Sequence, residues 1–97
     1  MRAKKNFVVV AYDISNDRRR SRVVKILERV GVRVNFSVFE CMLTDVQYAR
    51  LQKDILDAIK IREDTVVYYP ICMDCYAKIV YQCGFSRSFE KVSVIDC

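Results

Sequence analysis

Residues 6–12 read NFVVVAY, an almost unbroken run of β-branched and aromatic side chains, and residue 13 is an aspartate. A run of this kind has no polar side to offer to water, so as a strand it must be covered on both faces or lie centrally in a sheet. A chain of 97 residues has room for one hydrophobic core. The sheet around this strand is therefore the centre of the domain, and everything else has to pack on it. Small domains bury a modest share of their surface, so a second copy of the chain would help to complete a thin core.

The following residues supply the layers. Between Asn16 and Gly31, Val23, Ile26, Leu27 and Val30 recur at helical spacing. Asn16 or Asp17 can accept the free amide hydrogens of the first turn, and Gly31 can take a left-handed stop. VRVNFSVFECML at 32–43 is too rich in valine and phenylalanine for a helix and long for one strand; Asn35 and Ser37 point to a tight reversal between two short strands. Thr44 and Gln47 form a T-x-x-Q capping box that opens a second amphipathic helix, with Tyr48, Leu51, Ile55, Leu56 and Ile59 expected toward the core and an end near Lys60. DTVVYYPI at 64–71 is the next strand, closed by Pro70. Further strands are expected at 78–82 and in FEKVSVI near the end.

That order predicts an α+β fold: a single ferredoxin-like βαββαβ sandwich spanning residues 1–97, with an extra C-terminal strand. Both helices cover one face of an antiparallel sheet. The other face is left apolar and open, which is a second reason to expect a homodimer.

Charge adds a direction. Lys and Arg number 17 against 12 Asp and Glu, a net charge of +5, and seven of those cations fall between Arg18 and Arg33 with Glu28 the one acid among them. At about 100° per residue, Arg18, Arg22, Lys25 and Arg29 line one stripe of the first helix, away from Val23, Ile26 and Val30. The stripe is either a solvated face or a surface that tracks phosphates. Arg18, Arg19 and Arg20 also occupy a first helical turn, where the helix dipole disfavours cations, so an anion or the nearby Asp13 and Asp17 should offset them.

Asp13 has two readings. It can cap or turn the chain through backbone hydrogen bonds. Alternatively, a carboxylate at a rigid strand end beside cations can help to hold Mg²⁺ or another divalent cation against a phosphodiester. One carboxylate is a poor metal site; two, from subunits facing across a symmetry axis, are a workable one. The chain has no histidine, which removes the usual general base and every His-dependent hydrolase scheme. Tyr12 stands beside Asp13, either as a proton-transfer group or as a packing residue with its hydroxyl at the surface.

Cys72 and Cys75 form a C-x-x-C, with Cys41, Cys83 and Cys97 elsewhere. Structural zinc wants four ligands, usually as two close pairs, and one pair without histidine falls short. The five cysteines are read as small buried hydrophobes with reduced thiols. The basic start runs directly into a short strand with no small-residue cleavage site, and no stretch reaches the roughly 18 apolar residues of a membrane span, so a cytoplasmic protein with no membrane partner is expected.

VVVAYDISNDRRRSRVVKILERVGVRVNFSVFECML resembles the N-terminal signature of the second CRISPR-associated (Cas) protein family, which acts in spacer acquisition: an aliphatic strand ending in Tyr-Asp, a basic helix, then Gly-x-Arg-Val-x-x-Ser-Val-Phe-Glu. VVYYPIC with the C-x-x-C is similar to a later strand of many members, so the likeness runs from about residue 6 to 83. The resemblance implies a symmetric dimer with Asp13 near the twofold axis and a C-terminal segment, about 84–97, whose strand near Val92–Ile95 pairs with the partner chain. It implies a metal-dependent endonuclease of RNA or double-stranded DNA, and an adaptor for the CRISPR integrase, the first Cas protein. Tyr12, Asp13, Arg20, Arg22, Arg33, Ser37 and Phe39 match the family's functional positions; Asn35 stands where many relatives carry Gln.

Three functions compete. In the first, Asp13 from each subunit holds Mg²⁺ while Arg20, Arg22 and Arg33 clamp phosphates. In the second, the chain is a scaffold that holds DNA in the integration complex and Asp13 is catalytically idle. In the third, it is a ferredoxin-like regulatory domain unrelated to nucleic acid.

Overall fold

The computed structural model describes residues 4–82. Four strands form one antiparallel sheet in the order β2-β3-β1-β4, where β1 is Lys5–Asp13, β2 Gly31–Asn35, β3 Val38–Thr44 and β4 Thr65–Ile71. Helix α1 (Asp17–Glu28) joins β1 to β2, α2 (Asp45–Ala58) joins β3 to β4, and a single turn, α3 (Met73–Tyr76), follows β4. This is the expected ferredoxin-like α+β sandwich.

The apolar run at 6–12 occupies a central position, paired with β3 on one side and β4 on the other. Side chains alternate across a strand. Val8, Val10 and Tyr12, with Phe39, Cys41 and Leu43 of β3, face Val23 and Leu27 of α1 and Leu51, Ile55 and Ala58 of α2 in one buried cluster. Phe7 points the other way and is still fully buried, because Tyr76 of α3 lies across it with ring centroids 4.5 Å apart. Burial on both faces is what an uninterrupted hydrophobic strand demands.

The local signals hold at both helix starts. Asn16 Oδ1 accepts from the Arg19 amide at 2.9 Å, and Thr44 and Gln47 exchange both bonds of the capping box, at 2.9 and 3.1 Å. The reversal falls at Phe36 and Ser37, and a register shift between Arg33 and Asn35 makes Val34 a bulge.

Several expectations need correction. Gly31 is not a left-handed stop: no described residue has a positive φ, and α1 ends in right-handed geometry at Arg29. Gly31 instead begins β2 where a Cβ would lie 2.5 Å from Cys41 Sγ and 2.6 Å from the Glu40 carbonyl oxygen; close strand approach is the reason for glycine there. β4 ends at Ile71, one residue past Pro70, as expected, and the proline is tolerated because β4 is an edge strand. Leu56 is 52% exposed, since α2 turns Leu51, Ile55 and Ala58 inward instead. Residues 78–82 form no strand. Cys41 is buried as expected, but Cys72 and Cys75 are exposed at α3. The last expected strand, the 84–97 segment, Cys83 and Cys97 lie outside the described residues.

Beyond the helices, the second sheet face carries Val9, Ala11, Val38 and Met42, with Val67 and Tyr69 of β4 more than a third exposed. Glu40 is on this face and is buried, and both its carboxylate oxygens accept from the Tyr81 hydroxyl, at 2.6 and 2.7 Å.

Candidate nucleic-acid interface

The β1 end, the start of α1 and the β2–β3 turn enclose an open depression of about 460 Å³ lined by Tyr12, Asp13, Ile14, Arg20, Arg33, Phe36 and Ser37. Five residues singled out in the sequence (Tyr12, Asp13, Arg20, Arg33 and Ser37) therefore converge, although they come from three separate parts of the chain. Asp13, the last residue of β1, is exposed and opposite Thr65, on the sheet face away from the helices. Tyr12 faces the other way and is 5% exposed.

The Tyr12 hydroxyl donates to the Phe36 carbonyl at 2.9 Å. Arg33 Nη2 donates to the same carbonyl at 3.0 Å and to the Tyr12 hydroxyl at 3.2 Å. The guanidinium also lies 5.8 Å over the Phe39 ring, within cation–π range. The bulge at Val34 makes this reach possible, because it resets the register just after Arg33, which stays opposite Phe39. Phe39 itself is fully buried; it supports Arg33 and offers nothing to a ligand directly. The arrangement fixes the hairpin turn against β1.

Arg20 is also partly committed. Its Nη1 donates to the Ile14 carbonyl at 3.0 Å, and its Nη2 is paired with Asp17. Its side chain remains 41% exposed. Arg19 departs from its neighbours altogether: it donates to Asp64 at 2.7 and 3.1 Å and to Glu63 at 3.0 Å. The Asp64 side chain is inaccessible and also accepts from the Lys60 amide at 2.8 Å. Arg19 foremost, then the Lys60 amide, holds the Asp64 carboxyl below its ordinary range. These pairs answer the dipole problem at the α1 start. Internal acids engage Arg19 fully and Arg20 in part, so Arg18 and the exposed remainder of Arg20 are left for an external anion. Asp64, 45 residues from Arg19, carries no sequence signal that would have paired them.

Arg18, Arg22, Lys25 and Arg29 are all exposed along α1 and its end, and none has an ion pair among the described residues. The stripe is thus open to a polyanion and separate from the Asp13 depression. Asp13 is the one acid lining that depression, and no cluster of three or more His, Cys, Asp or Glu side chains suited to a metal occurs among the described residues. The described residues of one chain thus bring a single carboxylate to this depression. No helix among the described residues is long and apolar enough to cross a membrane.

Together, the sheet order and the basic helix beside a carboxylate at the central strand's tip define a ferredoxin-like domain with a cationic flank. A family model for CRISPR associated protein Cas2 matches residues 6–79. The chain belongs to this family. It is 43% identical over 63 residues to the CRISPR-associated endoribonuclease Cas2 3 of Synechocystis sp., covering 65% of this chain and 68% of that one. Streptococcus pyogenes Cas2 shares the fold, with a TM-score of 0.70 at 23% identity, covering 79% of this chain and 99% of that one. A chain of a partial Cas6-RT-Cas1–Cas2 complex superposes with a TM-score of 0.68 at 25% identity, covering 79% and 90%.

Proposed function

We propose that this protein acts in CRISPR adaptation as a homodimer that binds nucleic acid and cleaves phosphodiesters, working with the CRISPR integrase. The observation that carries the reading is the convergence of Asp13, Arg20, Arg33 and Ser37 on one depression at the end of the central strand. Relatives named as endoribonucleases and a structural neighbour from a Cas1–Cas2 assembly support it. The half-exposed sheet face that carries Asp13 is the surface across which a second copy would bring its own Asp13, making two carboxylates from one per chain. A divalent cation held between them, Mg²⁺ in the simplest case, would supply Lewis acidity toward a phosphodiester.

The chain's own groups do the remaining work. Arg33, fixed by Tyr12 and Phe36, engages only Nη2 with protein acceptors among the described residues, so its other donors suit a phosphate oxygen. Arg20 adds positive charge beside it, and Ser37 a hydroxyl. The α1 stripe tracks the backbone on either side, without reading bases.

A second reading is favoured by the commitments of Tyr12 and Arg20 to backbone carbonyls and Asp17: the chain holds DNA for the integrase and Asp13 is idle. One experiment separates the two. Asp13→Asn should abolish divalent-cation-dependent cleavage of RNA or duplex DNA and leave binding intact or stronger, since a negative charge is removed. Chelator-insensitive cleavage by the variant ends the metal reading, and spacer insertion that survives it supports the scaffold.

A further inference from the structure

Phe36 is 87% exposed, the most exposed of the large apolar side chains among the described residues. It stands at the apex of the β2–β3 turn, where glycine, asparagine or aspartate are usual for their backbone freedom. Phenylalanine contributes nothing of that kind, and no described residue has the positive φ that would call for them.

Its backbone, however, is pinned on both sides. The Phe36 amide donates to Asn35 Oδ1 at 2.8 Å, and its carbonyl accepts from Tyr12 at 2.9 Å and Arg33 at 3.0 Å. The ring therefore stands in water on a pinned backbone, at the rim of the depression that contains Arg20, Arg33 and Asp13. Guanidinium groups suit phosphate oxygens, and an aromatic face beside them suits the π-face of a base.

We propose that Phe36 is a stacking platform for an unpaired base, so that the depression takes single-stranded RNA or DNA, or the splayed end of a duplex, in preference to a continuous duplex. The proposal rests on the nucleic-acid reading above and deepens it by assigning the residue that would select an unpaired base. A base inside a duplex has both faces covered by its neighbours, so only an unstacked base can lie on the ring. The phosphate flanking it falls to Arg33 and Arg20. Stacking tolerates any base, so the site selects strandedness and not sequence.

The chain contains no tryptophan, so Phe36→Trp installs a single indole fluorophore at the proposed platform. Its emission should be quenched by a single-stranded oligonucleotide and unaffected by an abasic oligomer of the same length and charge. Phe36→Ala and Phe36→Leu should each weaken single-strand binding by roughly 5- to 150-fold, the range that one base–aromatic stack spans, while Phe36→Tyr retains it and duplex binding is unchanged in all three. Fluorescence anisotropy of labelled oligonucleotides reports binding independently of the tryptophan. Binding without quenching, or equal losses for single-stranded, duplex and abasic ligands, overturns the platform and leaves the nucleic-acid reading standing. If Phe36→Ala loses copurification with the integrase but no oligonucleotide affinity, the ring is a protein contact and the platform is wrong. Absence of any oligonucleotide binding at low salt overturns both readings.

Discussion

Arg33 Nη2 lies 3.2 Å from the Tyr12 hydroxyl, and the two groups share one acceptor, the carbonyl of Phe36. A side chain from the edge strand and one from the central strand thus converge on the turn between β2 and β3. The tyrosine proton is already given to a backbone oxygen, so the pair acts as a tether.

Tyr12→Phe should therefore destabilise the fold by about 0.5–1.5 kcal/mol, the usual worth of one hydrogen bond, as read by urea unfolding. Cleavage should fall by less than the ~100-fold that loss of a general acid or base costs at a minimum. A larger loss with an unchanged unfolding midpoint would make Tyr12 a proton-transfer group after all.

Neutralising Arg22, Lys25 and Arg29 to Gln should weaken duplex binding and reduce the dependence of log K on log salt by about 0.9 for each phosphate that is no longer neutralised. All three are exposed without ion pairs among the described residues, so thermal stability should be nearly unchanged. An unaltered salt slope would show the stripe to be a solvated face.

The Arg19–Asp64 pair predicts an acid-labile contribution to stability. Asp64 is held below its ordinary value of 3.8 in the folded chain, so its stabilisation is complete above about that pH and drains away as pH falls through the folded value. Asp64→Asn should unfold several degrees below wild type at neutral pH, with the gap closing only in strong acid. Thermal melts across an acid series measure it, and a constant gap at every pH would contradict it.

Gly31→Ala places a methyl group against Cys41 Sγ and the Glu40 carbonyl. Overpacking of this kind costs about 1–3 kcal/mol. Adding Cys41→Ala should recover little, because the carbonyl belongs to the backbone of β3 and cannot be trimmed; full recovery would show that the thiol alone was the obstacle.

The exposed thiols should differ in reactivity. The amide and thiol of Cys75 lie beside the Cys72 sulfur and draw its pKa below the ordinary 9.0, while the same contact raises that of Cys75. Burial pushes the Cys41 thiol up to about 12. Brief alkylation at about neutral pH, mapped by mass spectrometry, should modify Cys72 before Cys75 and leave Cys41 untouched until the protein unfolds.

Much of the architecture is legible in the residues because short-range chemistry dictates it. The run at 6–12 forces a central strand, Thr44 and Gln47 mark the start of α2, and the spacing of Val23 and Leu27 fixes the buried side of α1. The candidate site is legible only in part. Asp13, Arg20, Arg33 and Ser37 are visible as residue types, but the Tyr12–Arg33–Phe36 tether depends on a bulge at Val34 and on a pairing across the sheet, neither of which has a local signature. Phe36 reads as one more apolar residue in a strand-forming stretch, and only three dimensions show it outside the core. Arg19 reads, like Arg18 and Arg20, as a cation to be offset by an anion or by Asp13 and Asp17, until Asp64 arrives from 45 residues away.

The family match ends at residue 79, yet the hydroxyl that satisfies the buried Glu40 belongs to Tyr81. A fragment trimmed to the homologous region would lose the phenol that donates to the Glu40 carboxylate and open that group to water, forfeiting a charge-assisted hydrogen bond. The contacts of the sheet thus extend past the recognisable signature, and an expressed fragment should keep Tyr81 to retain that hydrogen bond.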